Sequence, residues 1–131
     1  MIVADVNTIA YLWIPGEMTA AAEKALVKDS EWVAPQLWRS EFRNVLAQYL
    51  RRDLISADLV EKCLRGAESQ IHTYMVPSTL IMQQVSRSTC SAYDCEYVAL
   101  AKSLNVKLVT ADMQICRQFP DVAVSLQTFV K

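Results

Sequence analysis

Residues 91–112 read SAYDCEYVALAKSLNVKLVTAD, and this stretch decides the fold. Its first part has helical periodicity over 93–104. Asp94, Tyr97, Val98, Ala101 and Leu104 share one face, and Glu96 points away from it. Its second part, KLVT at 107–110, is short, apolar and β-branched, the composition of a strand buried on both faces. A helix leading into such a strand is the repeating unit of a parallel α/β sheet. Two carboxylates break the pattern: Asp94 on the apolar helix face and Asp112 just past the strand.

The same alternation extends outward in both directions. IVADV (2–6), EWVAP (31–35), HTYMV (72–76) and VAVSL (122–126) read as further strands. Helices are expected over 8–14, 19–28, the amphipathic run QLWRSEFRNVLAQYLRRD (36–53), 56–69 with Ser56 as its cap, and 78–89 starting at Ser78 after Pro77. The expectation is one domain over 1–131, a three-layer α/β/α sandwich with a mostly parallel central sheet and right-handed crossovers. In such sheets ligands bind outside the carboxyl ends of the strands, where Asp5 and Asp112 fall.

Two more acids interrupt apolar surroundings. Asp5 closes the first strand. Glu41 sits within the stripe formed by Leu37, Trp38, Phe42, Val45, Leu46 and Tyr49, with Arg39 and Arg43 projecting to the opposite side. Desolvating an unpaired charge costs roughly several kcal/mol or more, and no matching set of Lys or Arg lies on those stripes. Each acid has an ordinary explanation taken singly. Asp94 could be a first-turn acid favoured by the helix dipole, and Asp5 and Asp112 turn or cap residues at strand ends. Four such positions in one chain instead point to a shared pocket, whose carboxylates repel until a divalent cation joins them. An all-oxygen donor set suits Mg²⁺ or Mn²⁺ rather than zinc.

Composition narrows the alternatives. The 131 residues carry 13 basic and 14 acidic side chains for a net charge of −1, so no global basic balance signals nucleic acid. A local patch is sufficient, and Arg39, Arg43, Arg51 and Arg52 could form one; a solvated helix face is the plainer reading. No run approaches the roughly 18 apolar residues of a membrane span, and MIVADVNT lacks the features of a secretion signal, so a cytoplasmic protein away from membranes is expected. Cys63, Cys90, Cys95 and Cys116 form no CxxC pair and read as reduced packing residues. The single histidine, His72, opens a strand, which disfavours Ser–His–Asp or Cys–His chemistry. With 2 glycines, neither a Walker loop nor a dinucleotide fingerprint is available.

IVADVNT at the start, PQLWRSEFRNVL in the long helix and the 91–112 stretch together resemble the PIN-domain nucleases, particularly the VapC-like toxins of prokaryotic toxin–antitoxin pairs, across the whole chain. The resemblance implies an acidic quartet of Asp5, Glu41, Asp94 and Asp112, supported by Asn7 and Thr110. Where the family often has Ser or Thr, this chain has Asn7, which can still donate a hydrogen bond. Asp5, Asp94 and Asp112 become the expected ligands of Mg²⁺ or Mn²⁺, and Glu41 completes the shell or positions the attacking water. The implied reaction is metal-dependent endoribonucleolytic hydrolysis of RNA, leaving a 5′-phosphate and a 3′-hydroxyl. The implied partners are a cognate antitoxin protein and a second copy of the chain, with apolar residues of 36–52 and 56–69 as the candidate dimer contact. Two competing readings start from the same first Asp. A haloacid-dehalogenase-like phosphatase needs an acid two residues later, where this chain has Asn7. A receiver-like signalling module needs paired acids after the first strand, whereas these are single and dispersed.

Overall fold

The computed structural model describes all of residues 1–131. Five strands pair in the order β3-β2-β1-β4-β5, all parallel: β1 Ile2–Ala4, β2 Trp32–Pro35, β3 His72–Tyr74, β4 Leu108–Thr110 and β5 Ala123–Ser125. Every residue of β1, β2 and β4 is buried, as expected of strands covered on both faces. β3 lies at the edge, where His72 and Thr73 are exposed, and it ends at Tyr74 rather than running on through Val76.

Eight helices connect and flank the strands: α1 Val6–Trp13, α2 Thr19–Lys28, α3 Trp38–Arg51, α4 Ala57–Gln70, α5 Ser78–Val85, α6 Ala92–Leu104, α7 Met113–Gln118 and α8 Leu126–Phe129. The chain runs from β1 to β2 to β3 in one direction across the sheet. It then reverses, and α5 and α6 carry it back over β2 and β1 to β4. Because parallel crossovers are right-handed, the reversal puts α5 and α6 on the face opposite α1 to α4, giving three layers. α6 packs against β1, β2 and β4, while α1 packs with α2, α3 and α4.

Sequence-local chemistry fixes the helix ends. Ser56 Oγ accepts from Leu59 N–H at 3.1 Å and Ser91 Oγ from Asp94 N–H at 3.1 Å, each satisfying a first-turn donor. α6 stops at Asn105, whose φ of 54° is the left-handed conformation that Asn tolerates. α1 begins at Val6, earlier than the expected residue 8, because Asp5 itself caps it. Gly66 of α4 is required by packing. A Cβ there would lie 2.3 Å from the Trp13 ring, so only glycine lets α4 close on α1.

Candidate active site

The strand order reverses beside β1 and β4, which pair in the register Val3↔Leu108 and Ala4↔Val109. Such a switch point opens a crevice beyond the carboxyl ends of the two strands. The register also places the next residue of each strand side by side. Asp5 and Thr110 are therefore neighbours although 105 residues apart, and the Thr110 hydroxyl donates to Asp5 Oδ2 at 2.6 Å.

Asp5 is 5% exposed and held from several directions. Its Oδ1 accepts from Val6 N–H at 2.7 Å and its Oδ2 also from Asn7 Nδ2 at 3.2 Å. Asn7 is oriented in turn, since its Oδ1 accepts from Ala111 N–H at 3.1 Å, leaving the amide NH₂ facing Asp5. Thr110 gives its one proton to Asp5 and uses its oxygen to accept from Asp112 N–H at 2.9 Å. Asp112 caps α7, its Oδ1 accepting from Gln114 N–H at 2.9 Å and Ile115 N–H at 3.2 Å. The cap explanation for Asp5 and Asp112 therefore holds: each side chain accepts from a backbone N–H at the start of its helix.

Glu41 and Asp94 enter from helices of the two opposite layers. Glu41 lies in the first turn of α3 and is half-buried; its Oε1 accepts from the hydroxyl of Tyr97 at 2.8 Å. Tyr97 belongs to α6, is buried, and shares the helix face of Asp94. Glu96 lies off the Asp94 face, as its phase implies, yet it is half-buried, and its charge bears on both Glu41 and Tyr97. The reason is that α6 meets the start of α3, where the Leu37 backbone N–H faces the Glu96 carboxylate.

The electrostatics record the crowding. Burial raises the Asp5 carboxyl to about 6 against the pull of Thr110 and Val6, and Asp94 and Asp112 raise it further. Burial likewise raises Glu41 to about 7; Tyr97 opposes the rise, while Asp5, Asp94 and Glu96 add to it. Asp94 is raised by burial and by the charge of Asp112. The Tyr97 phenol is pushed well above its ordinary range by burial and by the charges of Asp5 and Glu41, so it remains a donor. No ion pair of the chain involves Asp5, Glu41, Asp94 or Asp112: Arg39 pairs with Glu68 at 3.2 Å, away from Glu41.

The donors are all oxygens, which suits a hard divalent cation. No three of the chain's acidic, His or Cys side chains stand close enough together to form a ready-made metal cage. A cation here would therefore rest on one or two carboxylates and reach the others through water, the mode Mg²⁺ favours because it dehydrates reluctantly.

A model of the PIN domain matches residues 2–119. The chain belongs to the PIN-domain family. It is 29% identical over 124 residues to Ribonuclease VapC3 of Pyrobaculum aerophilum, covering 91% of this chain and 95% of that protein. The crystal structure of PAE2754 from Pyrobaculum aerophilum superposes with a TM-score of 0.76 at 21% identity, covering 98% of this chain and 91% of its own. That of FitAcB from Neisseria gonorrhoeae gives 0.67 at 19% identity, covering 95% and 96%. Membership of the PIN family displaces the haloacid-dehalogenase-like and receiver-like readings. As in the sandwich expected from the sequence, this PIN domain has a parallel sheet between helical layers. No helix is long and apolar enough to cross a membrane. Sequence reasoning placed Tyr97 on the inward face of α6 only as part of an apolar stripe, and the hydrogen bond to Glu41 is a tertiary pairing with no local signal.

Proposed function

We propose that this PIN domain is a divalent-metal-dependent endoribonuclease and the toxin of a toxin–antitoxin pair. The observation that carries the reading is the set of four carboxylates, Asp5, Glu41, Asp94 and Asp112, that bear on one another beyond β1 and β4 with no cationic side chain among them. The similarity to a protein named Ribonuclease VapC3 supports RNA as the substrate and the toxin role.

In this reading Asp5, Asp94 and Asp112 would be the residues that hold Mg²⁺ or Mn²⁺. The cation supplies a more acidic water and positive charge for the leaving oxygen. The chain's own groups do the rest. Thr110, Asn7 and the Val6 N–H lock the Asp5 carboxylate in one orientation, so that its oxygens are fixed before any ligand arrives. Tyr97 holds Glu41 in the same way, which fixes it for orienting the attacking water and accepting its proton. Water attack at phosphorus then breaks the bond to the 3′ oxygen, leaving a 3′-hydroxyl and a 5′-phosphate.

The proposed partners are a small antitoxin protein, which inhibits by placing a cationic side chain among the carboxylates, and a second copy of the chain. The apolar residues of 36–52 and 56–69, the exposed Leu50 among them, are the candidate dimer contact. The proposed location is the cytoplasm. The deciding assay is cleavage of single-stranded RNA with Mg²⁺ or Mn²⁺ and its loss in EDTA; full activity in EDTA rejects the metal mechanism. Growth arrest on expression in a bacterial host, relieved in Asp94→Asn at matched protein level, tests the toxin role. Equal growth of the two rejects it.

A further inference from the structure

A cleft of about 360 Å³ opens beside the carboxylate cluster, between α1 and α3. Asn7, whose amide touches Asp5 at 3.2 Å, forms its near end. Tyr11 and Ile14 follow along the same stripe of α1, Val45 and Tyr49 face them from α3, and the 15–19 loop closes the far end. We infer that this cleft is a nucleobase subsite, in which the base next to the scissile phosphate lies against Tyr11 and Tyr49.

Four observations carry the assignment, which rests on reading the carboxylate cluster as a phosphodiesterase centre. The cleft is continuous with that centre through Asn7, so a strand whose phosphate sits at Asp5 has its adjoining base at the cleft mouth. The volume lies within the roughly 300–1,000 Å³ of small-molecule sites. Both long walls carry a tyrosine, and aromatic faces accept any base by stacking. At the end wall Gly16 N–H donates to Thr19 Oγ1 at 2.9 Å and the Thr19 hydroxyl donates to Ile14 O at 3.3 Å, so the one hydroxyl there is engaged within the loop. Glu17 at the rim gives no attraction for a second phosphate, so the base enters and the backbone stays with the carboxylates. Recognition of this kind tolerates different bases.

The test uses the full chain in Mg²⁺ and reads the ring resonances of ¹³C-labelled tyrosines by NMR during titration with AMP or with ribose 5-phosphate. Saturable shifts of Tyr11 and Tyr49 with AMP and not with ribose 5-phosphate are expected. Tyr49→Ala, at a position 36% exposed, should weaken AMP binding about tenfold, and Tyr49→Phe should keep it. On a single-stranded RNA oligonucleotide the Tyr49→Ala loss should appear in KM rather than kcat. RNA left uncut while AMP still moves both rings keeps the subsite and removes the nuclease reading. RNA cut with unchanged KM, together with rings that ignore AMP or respond equally to ribose 5-phosphate, overturns the subsite and keeps the nuclease. A cleft that binds only a peptide partner gives that same silent AMP titration and overturns the proposal.

Discussion

The buried hydroxyl of Thr110 donates to Asp5 Oδ2 at 2.6 Å, linking the ends of two adjacent parallel strands. Strand register creates this contact, and the contact restrains a carboxyl that burial would otherwise push still higher. Thr110→Val keeps the shape and removes the donor. It should destabilise the metal-free protein at pH 7.5 by about 1–3 kcal/mol, because Asp5 loses a charge-assisted hydrogen bond. RNA cleavage should fall about 10- to 100-fold, and Thr110→Ser should recover most of it. Urea unfolding and initial rates measure the two effects; a valine variant as stable and active as wild type contradicts the assignment.

The raised carboxyls make stability depend on pH in a defined direction. Asp5 titrates at about 6 in the folded chain against 3.8 ordinarily, and Glu41 at about 7 against 4.5. Between about pH 4 and 7 the folded state holds protons that the unfolded chain releases, so stability falls as pH rises through this window. For buried Asp5 alone the difference is on the order of 3 kcal/mol. In EDTA, urea midpoints should decrease from pH 5 to pH 7.5, and Asp5→Asn should flatten the slope and raise the midpoint at pH 7.5. A midpoint that rises over the same interval for wild type would show that the cluster is not under strain.

Tyr97 and Glu96 act on Glu41 with opposite sign. The Tyr97 hydroxyl lowers the Glu41 pKa and the Glu96 charge raises it. Tyr97→Phe should therefore move the acidic limb of the pH–rate profile to higher pH, and Glu96→Gln should move it lower. Tyr97→Phe should cost only about 1 kcal/mol of stability, since the ring remains. Limbs that move in the same direction would mean that Glu41 does not set the profile.

Gly66→Ala should destabilise through packing, away from the carboxylates. The new methyl meets the Trp13 ring at 2.3 Å and must displace it from Gln70, to whose Oε1 the indole N–H donates at 2.8 Å. Overpacking of this kind costs about 1–3 kcal/mol. Calorimetry should show a lower Tm with no change in the pH dependence described above; an unchanged Tm contradicts the close approach of α4 to α1.

Most of the architecture was legible because helices and buried strands carry strong periodicity. The stripe of α3 and the all-buried β1 and β4 announce themselves, and Ser56 and Pro77 mark helix starts. The helix expected over 78–89 ends at Val85, because SRST offers no apolar face to continue it. α7 and α8, of 6 and 4 residues, are too short for any period to register. Strand order was not legible, since β-strand composition says nothing of neighbours. Asp5 was marked by its place at a strand end, and Asn7 and Thr110 only by the family resemblance; the bond between Asp5 and Thr110 follows from register. Helical phase turned Glu96 outward from α6 correctly as an angle, yet α3 occupies that side, so the residue is half-buried. Phase alone cannot report what an adjacent layer covers.

In the proposed function the carboxylates bind a divalent cation that makes RNA cleavage possible. The most direct measurement pairs metal binding with activity on the same samples: calorimetric titration with Mn²⁺ and cleavage of single-stranded RNA, for wild type, Asp5→Asn and Asp94→Asn. Wild type should bind Mn²⁺, gain thermal stability from it by mass action and cut RNA. Both variants should fold, bind Mn²⁺ far more weakly and lose cleavage by at least about 100-fold. Equal metal affinity and equal cleavage in the folded variants would contradict it.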